Sequence, residues 1–343
     1  MAMAKQGRST LRCRIPGILR NPGGSMALEA RDDLDPQIRL FVERMGAAWR
    51  EHLPLNSVPL AEARHIADKV RGRFTPGGPQ MVATTERMVE WGQGSVRVRV
   101  YESVAGKARP AFLYLHGGGW TLFSLDTHDR IMREYAARTG AVVIGVDYSL
   151  SPEARFPRAI DETIAVIRWL QRDGLALGIN PYRLALGGDS AGAAMTVSVC
   201  LKLRDGGEPD ALKAMVLNYG CFDAACATES FKRYGQGGYL WDPGEMQAFW
   251  SNYLGDTDPL DPLAAPMHAD VRGLPPAFLA IPECDVMQDE SVAMGNKLRA
   301  AAVAAQSVIY PGATHSFLEA VSMARIADRA FDETARWLKD MWV

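Results

Sequence analysis

The chain has 343 residues, 48% of them hydrophobic and 23% charged, with a formal net charge of −2. Those proportions describe a globule with a sizeable core, and the near-neutral balance gives no reason to expect nucleic acid or an anionic membrane as a partner. No apolar run approaches the roughly 20 residues that span a bilayer. The five cysteines are too few and too scattered for a disulfide framework or a metal site, which points to reduced thiols in a cytoplasmic protein.

The first 28 residues carry Lys5, Arg8, Arg12, Arg14 and Arg20 but no acidic residue. A secretory signal needs an apolar stretch of about seven residues, and Ile15 to Leu19 is short and broken by Pro16 and Gly17. The composition resembles a transit peptide, but a disordered extension ahead of Met26 is the expected state. Residues 29–80 read as helical: Ile38, Phe41, Val42, Met45 and Trp49 recur at amphipathic spacing before Gly72 to Pro79 interrupts the pattern. Met81 to Trp91 and Ser95 to Tyr101 then read as two strands joined through Gly92-Gln93-Gly94.

Beyond that point the pattern changes. Short apolar runs occur at Ala111 to Leu115, Ala141 to Val146, Leu184 to Leu186, Ala214 to Leu217, Ala277 to Ile281 and Val308 to Tyr310. Helical stretches separate most of them. Such runs suit strands buried on both faces, and the alternation predicts an α/β fold with a mostly parallel sheet covered by helices on both sides. Residues 81–343 are expected to form this α/β domain, interrupted at 222–262 by a segment without a clear strand. That segment carries Phe222, Phe231, Tyr234, Tyr239, Trp241, Phe249, Trp250 and Tyr253, and reads as an inserted lid.

Two glycine motifs carry chemistry. Leu184 to Leu186 runs into Gly188-Asp189-Ser190-Ala191-Gly192 and then a small-residue helix, the pattern of a strand-to-helix elbow that presents a serine nucleophile. Glycines relieve the crowding there, and the following helix directs its N-terminal dipole at the serine. Leu113-Tyr114-Leu115-His116-Gly117-Gly118-Gly119-Trp120 places three glycines directly after another buried strand. Acyl transfer develops an oxyanion that needs preorganised N–H donors, and Gly117, Gly118 and Ala191 are the expected ones. A phosphate loop would show a different glycine spacing. His116 is expected to shape this loop through its hydrogen bonds.

In hydrolases with such an elbow the acid and then the histidine follow the serine in the chain. Only His268 and His315 follow Ser190. His315 sits in a turn before the final helix, whereas His268 lies in a proline-rich stretch with no acid at a preceding strand end, so His315 is the preferred base. Asp285 follows the buried strand Ala277 to Ile281, on the side where open α/β sheets build sites. Its competitor Asp289 reads as part of a helix N-terminus. Trp120, directly after the glycines, is expected to wall the acyl side. Tyr239, Trp241, Phe249 and Trp250 would roof a small pocket suited to short acyl chains.

These motifs, together with Leu125-Asp126-Thr127-His128-Asp129-Arg130, Asp147-Tyr148-Ser149-Leu150-Ser151-Pro152-Glu153 and His315-Ser316-Phe317, make the chain resemble the hormone-sensitive-lipase-like α/β-hydrolases. The likeness is greatest to the bacterial acetyl esterases of that family. The resemblance runs from about Met26 to the C-terminus. It implies the α/β-hydrolase fold and a lid made from the N-terminal helices with 222–262 contributing. It also implies a Ser190–His315–Asp285 triad, Gly117, Gly118 and Ala191 as oxyanion donors, and small acyl esters cleaved without metal or cofactor. An amidase, an acyltransferase or a ligand-binding protein on the same fold are the alternatives, and the chain is expected as a monomer or homodimer. The sequence departs from the family where Asp285-Val286-Met287 replaces Asp-Pro-Leu and where Trp120 replaces a frequent phenylalanine.

Overall fold

The computed structural model describes residues 32–343; the expected N-terminal extension lies outside the described residues. The chain opens with helices α1 (Pro36–Arg50) and α2 (Leu60–Arg71), followed by strands β1 (Ala83–Trp91), β2 (Gly94–Glu102) and β3 (Arg109–Leu115). Helix α3 (Asp129–Thr139), β4 (Val142–Asp147), α4 (Arg158–Asp173), β5 (Ile179–Asp189), α5 (Ala191–Asp205) and β6 (Ala214–Asn218) come next. The chain closes with α6 (Glu229–Tyr234), α7 (Pro243–Leu254), β7 (Ala277–Cys284), α8 (Gln288–Ala300), β8 (Ala305–Thr314) and α9 (Arg325–Met341).

The strands form one sheet in the order β1-β2-β4-β3-β5-β6-β7-β8. The β1–β2 hairpin is antiparallel and β2 pairs antiparallel with β4, while every pair from β4 to β8 is parallel. The expected apolar runs fall in these parallel strands, except that Ala141 lies just ahead of β4. In β6 every residue is buried, and in β3 and β7 all but one. Consecutive buried residues point to opposite faces of a strand, so both faces of the sheet centre are covered. Helices α3 and α9 pack together, as do α4 and α5, and α8 lies against β7 and β8. No helix among the described residues is long and apolar enough to cross a membrane.

The N-terminal segment is tied to the far end of the chain. Asp35 caps α1 by accepting from the N–H groups of Gln37 and Ile38 at 2.8 and 3.2 Å, and its own N–H donates to the Gly312 carbonyl at 3.0 Å. The amphipathic face predicted for α1 is the one it buries, with Ile38, Phe41, Val42, Met45 and Trp49 all inside. The segment without a predicted strand forms α6 and α7 and their connections. Helix α7 begins with a capping box between Asp242 and Glu245, and its Phe249, Trp250 and Tyr253 are buried.

Candidate active site

Strand β5 ends at Asp189, β7 at Cys284 and β8 at Thr314, so Ser190, Asp285 and His315 each follow directly on the carboxyl end of a strand. These strands lie parallel and near one another, with β6 between β5 and β7, so the three residues emerge at one edge of the sheet. His315 Nδ1 lies 2.8 Å from Asp285 Oδ2, and both residues are buried. The other oxygen of Asp285 accepts the N–H of Met287 at 3.0 Å, which fixes the carboxylate plane. Its sequence competitor Asp289 turns away and accepts the N–H of Ser230 at 2.8 Å. His268 is also elsewhere, half-buried and 3.3 Å from Asp223.

Ser190 sits at φ 54° and ψ −118°, a conformation that costs about 1–3 kcal/mol in an L-residue and is retained only where the surroundings impose it. They do so here. Its N–H donates to the Asn218 carbonyl at 2.9 Å, and its own carbonyl starts α5 by accepting from Ala193 and Ala194. The turn is closed against β3. A Cβ on Gly188 would lie 2.3 Å from the Leu115 carbonyl oxygen and one on Gly192 only 1.9 Å from it, so a side chain at either position would push β5 or the start of α5 away from the end of β3.

The glycine loop after β3 differs from the expected donor set in one respect. The Gly117 N–H donates to Oδ1 of Asp189 at 3.0 Å and is therefore not available to an oxyanion. Gly118 and Gly119 border the same small cavity as Ser190 and His315, and among the described residues no protein acceptor takes their N–H groups. Ala191 is the first residue of α5, where an N–H has no partner within the helix. Around the loop, Asp189 also accepts from the Tyr114 hydroxyl at 2.8 Å and faces His128 Nε2 at 3.4 Å. Burial works to raise its pKa, but His128 and Tyr114 outweigh it and keep the Asp189 carboxyl below the usual range. His116 plays the shaping part expected of it. Its Nδ1 is 2.7 Å from the Gly117 carbonyl, its ring stacks on Tyr148 at 4.4 Å, and burial pushes its pKa down to about 3, so the ring is neutral.

The cavity is walled by Trp241, Met246, Phe249 and Phe123, and Arg71 and Ser316 also border it. Of the five aromatics expected around the pocket, Trp241 and Phe249 belong to it, the Trp241 ring lying edge-on to the His315 imidazole at 6.4 Å, whereas Trp250 packs against Trp120. Trp120 instead turns back into the core at φ 57° and stacks on Tyr253 at 4.2 Å, because the left-handed conformation reverses the chain after the glycines. Tyr239 points toward the N-terminal segment, where its hydroxyl donates to Asp33 at 2.8 Å. Ser316 enters the sequence reading only within the His315-Ser316-Phe317 motif, and none of Arg71, Phe123 and Met246 stands out in the sequence. Phe249 lies hard against the glycine loop: a Cβ on Gly119 would come within 2.2 Å of its ring. Among the described residues no three His, Cys, Asp or Glu side chains gather where an ion could be held.

A parallel sheet with a strained serine at a strand-to-helix elbow, and a histidine–aspartate pair on the neighbouring strand ends, defines the α/β-hydrolase class. Residues 112–319 match the family described as alpha/beta hydrolase fold. An ethyl acetate hydrolase of Pseudomonas putida is 32% identical over 303 residues, covering 86% of this chain and 95% of that protein. An acetyl esterase of Salmonella choleraesuis is 36% identical over 271 residues, covering 77% and 82% respectively. Among solved structures, a thermostable esterase from Pseudomonas putida superposes with a TM-score of 0.84 at 30% identity over 93% of this chain and 99% of that one. The chain belongs to the α/β-hydrolases, in their hormone-sensitive-lipase-like group of serine hydrolases.

Proposed function

We propose that the chain is a carboxylesterase for short-chain, acetyl-like acyl esters, acting through Ser190, His315 and Asp285. The observation that carries this reading is the 2.8 Å contact between His315 Nδ1 and Asp285, with Ser190 and His315 bordering one cavity. Asp285 fixes the tautomer that leaves Nε2 unprotonated, so Nε2 takes the Ser190 proton as the hydroxyl attacks the ester carbonyl. The carbonyl electron pair moves onto oxygen, where the N–H groups of Gly118, Gly119 and Ala191 receive it. The imidazolium returns its proton to the departing alkoxide, leaving an acyl-serine. Water, deprotonated by the same histidine, then releases the acid and restores the hydroxyl. Relatives named for ethyl acetate and acetyl esters support the small acyl group, and the aromatic walls of the cavity support a limit on its length.

The test is turnover of p-nitrophenyl acetate beside the matched anilide, in wild type and Ser190→Ala. Loss of the serine lowers kcat by about 10⁶ where a triad operates. A Ser190→Ala enzyme retaining a tenth of wild-type turnover overturns the mechanism, and a preference for the anilide makes the enzyme an amidase.

A further inference from the structure

Arg71, the last residue of α2, lies inside the protein with a side chain only 5% exposed. Its guanidinium has three neighbours. Nη1 donates to Glu319, itself 4% exposed, and Nη2 donates to the Ser316 hydroxyl at 2.9 Å. The flat face of the group covers the Phe123 ring at 4.5 Å. The partners are 248 and 245 positions away in sequence, and all of them stand beside the catalytic groups.

Ser316 follows His315 directly and holds a left-handed conformation at φ 61°. Glu319 is in the 3-10 helix Phe317–Ser322, and its N–H donates to the Ser316 carbonyl at 3.0 Å, so both anchors belong to the loop that carries the histidine. Phe123 belongs to the other half of the site. Its side chain would meet a Cβ on Gly118 at 2.7 Å, which means the ring lies directly on the glycine loop. One planar cation from an N-terminal helix therefore touches both the histidine loop and the ring against the oxyanion loop.

A buried ion pair is a poor device for stability, since well-packed apolar residues of similar volume often serve as well or better. What a guanidinium supplies and a hydrocarbon cannot is a rigid fork with directed donors. We propose that Arg71 is a positioning residue for the reaction. Through Ser316 and Glu319 it sets the seat of His315, and through Phe123 it braces the loop of Gly118 and Gly119. Turnover then depends on the docking of α2. The inference rests on the reading of His315 as the base.

The experiment compares four full-length variants with wild type, Arg71→Lys, Arg71→Met, the double variant Arg71→Met with Glu319→Leu, and His315→Ala, by thermal melting and by kcat and KM on p-nitrophenyl acetate. The double variant removes the cation without stranding a buried carboxylate, so it should melt within a few degrees of wild type. Its kcat should nevertheless fall about tenfold to a hundredfold with KM changed less than about threefold, as small misplacements of reacting groups do. Arg71→Lys keeps the charge but not the fork, and should recover part of the kcat lost in Arg71→Met. Wild-type kcat in the double variant, or in Arg71→Lys if the double variant does not fold, overturns the proposal while an inactive His315→Ala leaves the base intact. An active His315→Ala removes the reading beneath it.

Discussion

The N–H of Gly117 donates to the carboxylate of Asp189 at 3.0 Å, joining the first residue of the glycine loop to the residue before the nucleophile. The bond accounts for the identity of both. A Cβ on Gly117 would lie 2.4 Å from the Asp189 side chain, and one oxygen of that carboxylate accepts from both Gly117 and Tyr114 while the other faces His128. One buried side chain thus ties the glycine loop that carries Gly118 and Gly119 to the strand end that carries Ser190.

Replacing that carboxylate should loosen the loop without removing any reacting group. Asp189→Asn retains an acceptor but turns an NH₂ toward His128. Loss of a whole oxyanion donor costs about 10²–10³ in kcat, and a displaced one should cost about tenfold to a hundredfold. Steady-state kinetics on p-nitrophenyl acetate, with the affinity for a phosphonate transition-state mimic, will check this. Unchanged kcat and unchanged phosphonate affinity together would show that the loop keeps its place without Asp189.

The acid is tested by a pair of substitutions. Asp285→Asn should lower kcat by about 10⁴, because an amide stabilises the wrong imidazole tautomer. Asp289→Asn, whose carboxylate caps the start of α6 through Ser230, should change kcat by less than about tenfold, as surface-type changes away from the reacting groups do. Reversed losses would move the acid to Asp289.

Much of this site is legible in the sequence because its parts are local. The elbow at Gly188 to Gly192, the glycines after β3 and the positions of Asp285 and His315 at strand ends all follow from short-range pattern and chain order. What escapes is what depends on distant partners. The direction of the Gly117 N–H is decided by Asp189, 72 positions on. Trp120 looks like a pocket wall only until its positive φ turns it onto Tyr253. Arg71, at the end of an amphipathic helix, has the sequence signature of an exposed cation, and only the tertiary fold brings Glu319 to it. The aromatic insertion is recognisable as a feature, but no periodicity separates Phe249 and Met246, which face the cavity, from Trp250, which faces Trp120.

A buried acid on α8 gives a pH prediction. Burial pushes the pKa of Glu290 up to about 8, partly opposed by N–H donation from Phe222 and Asp223 at 2.7 and 3.0 Å. In the unfolded chain it titrates near 4.5. Between those values the folded state keeps a proton that the unfolded state releases. The stability this group contributes is therefore complete below about 4.5 and lost as pH rises toward 8. Glu290→Gln keeps an acceptor for both N–H groups and cannot ionise. The melting temperature of Glu290→Gln minus that of wild type should rise steadily from acid pH to pH 8, and a difference that stays flat would contradict the raised pKa.

The last prediction concerns acyl length. Trp241, Met246 and Phe249 border the same cavity as Ser190, and Phe249 is pressed against Gly119 while Trp241 lies edge-on to Phe249 at 5.5 Å. Each methylene that finds room to be buried contributes about 0.8 kcal/mol, roughly a fourfold gain in kcat/KM per carbon. A chain that meets a wall instead forces rearrangement costing about 1–3 kcal/mol. In the p-nitrophenyl series from acetate to dodecanoate, wild-type kcat/KM should peak at or before butanoate and then fall. Met246→Ala and Phe249→Leu should each move the peak toward hexanoate or octanoate by opening space on the wall. Tyr239→Phe, which alters a residue outside the cavity, should leave the peak where it is. A wild-type optimum at octanoate or longer would show that the aromatic segment lines a groove, which ends the short-acyl reading and leaves the serine hydrolase standing.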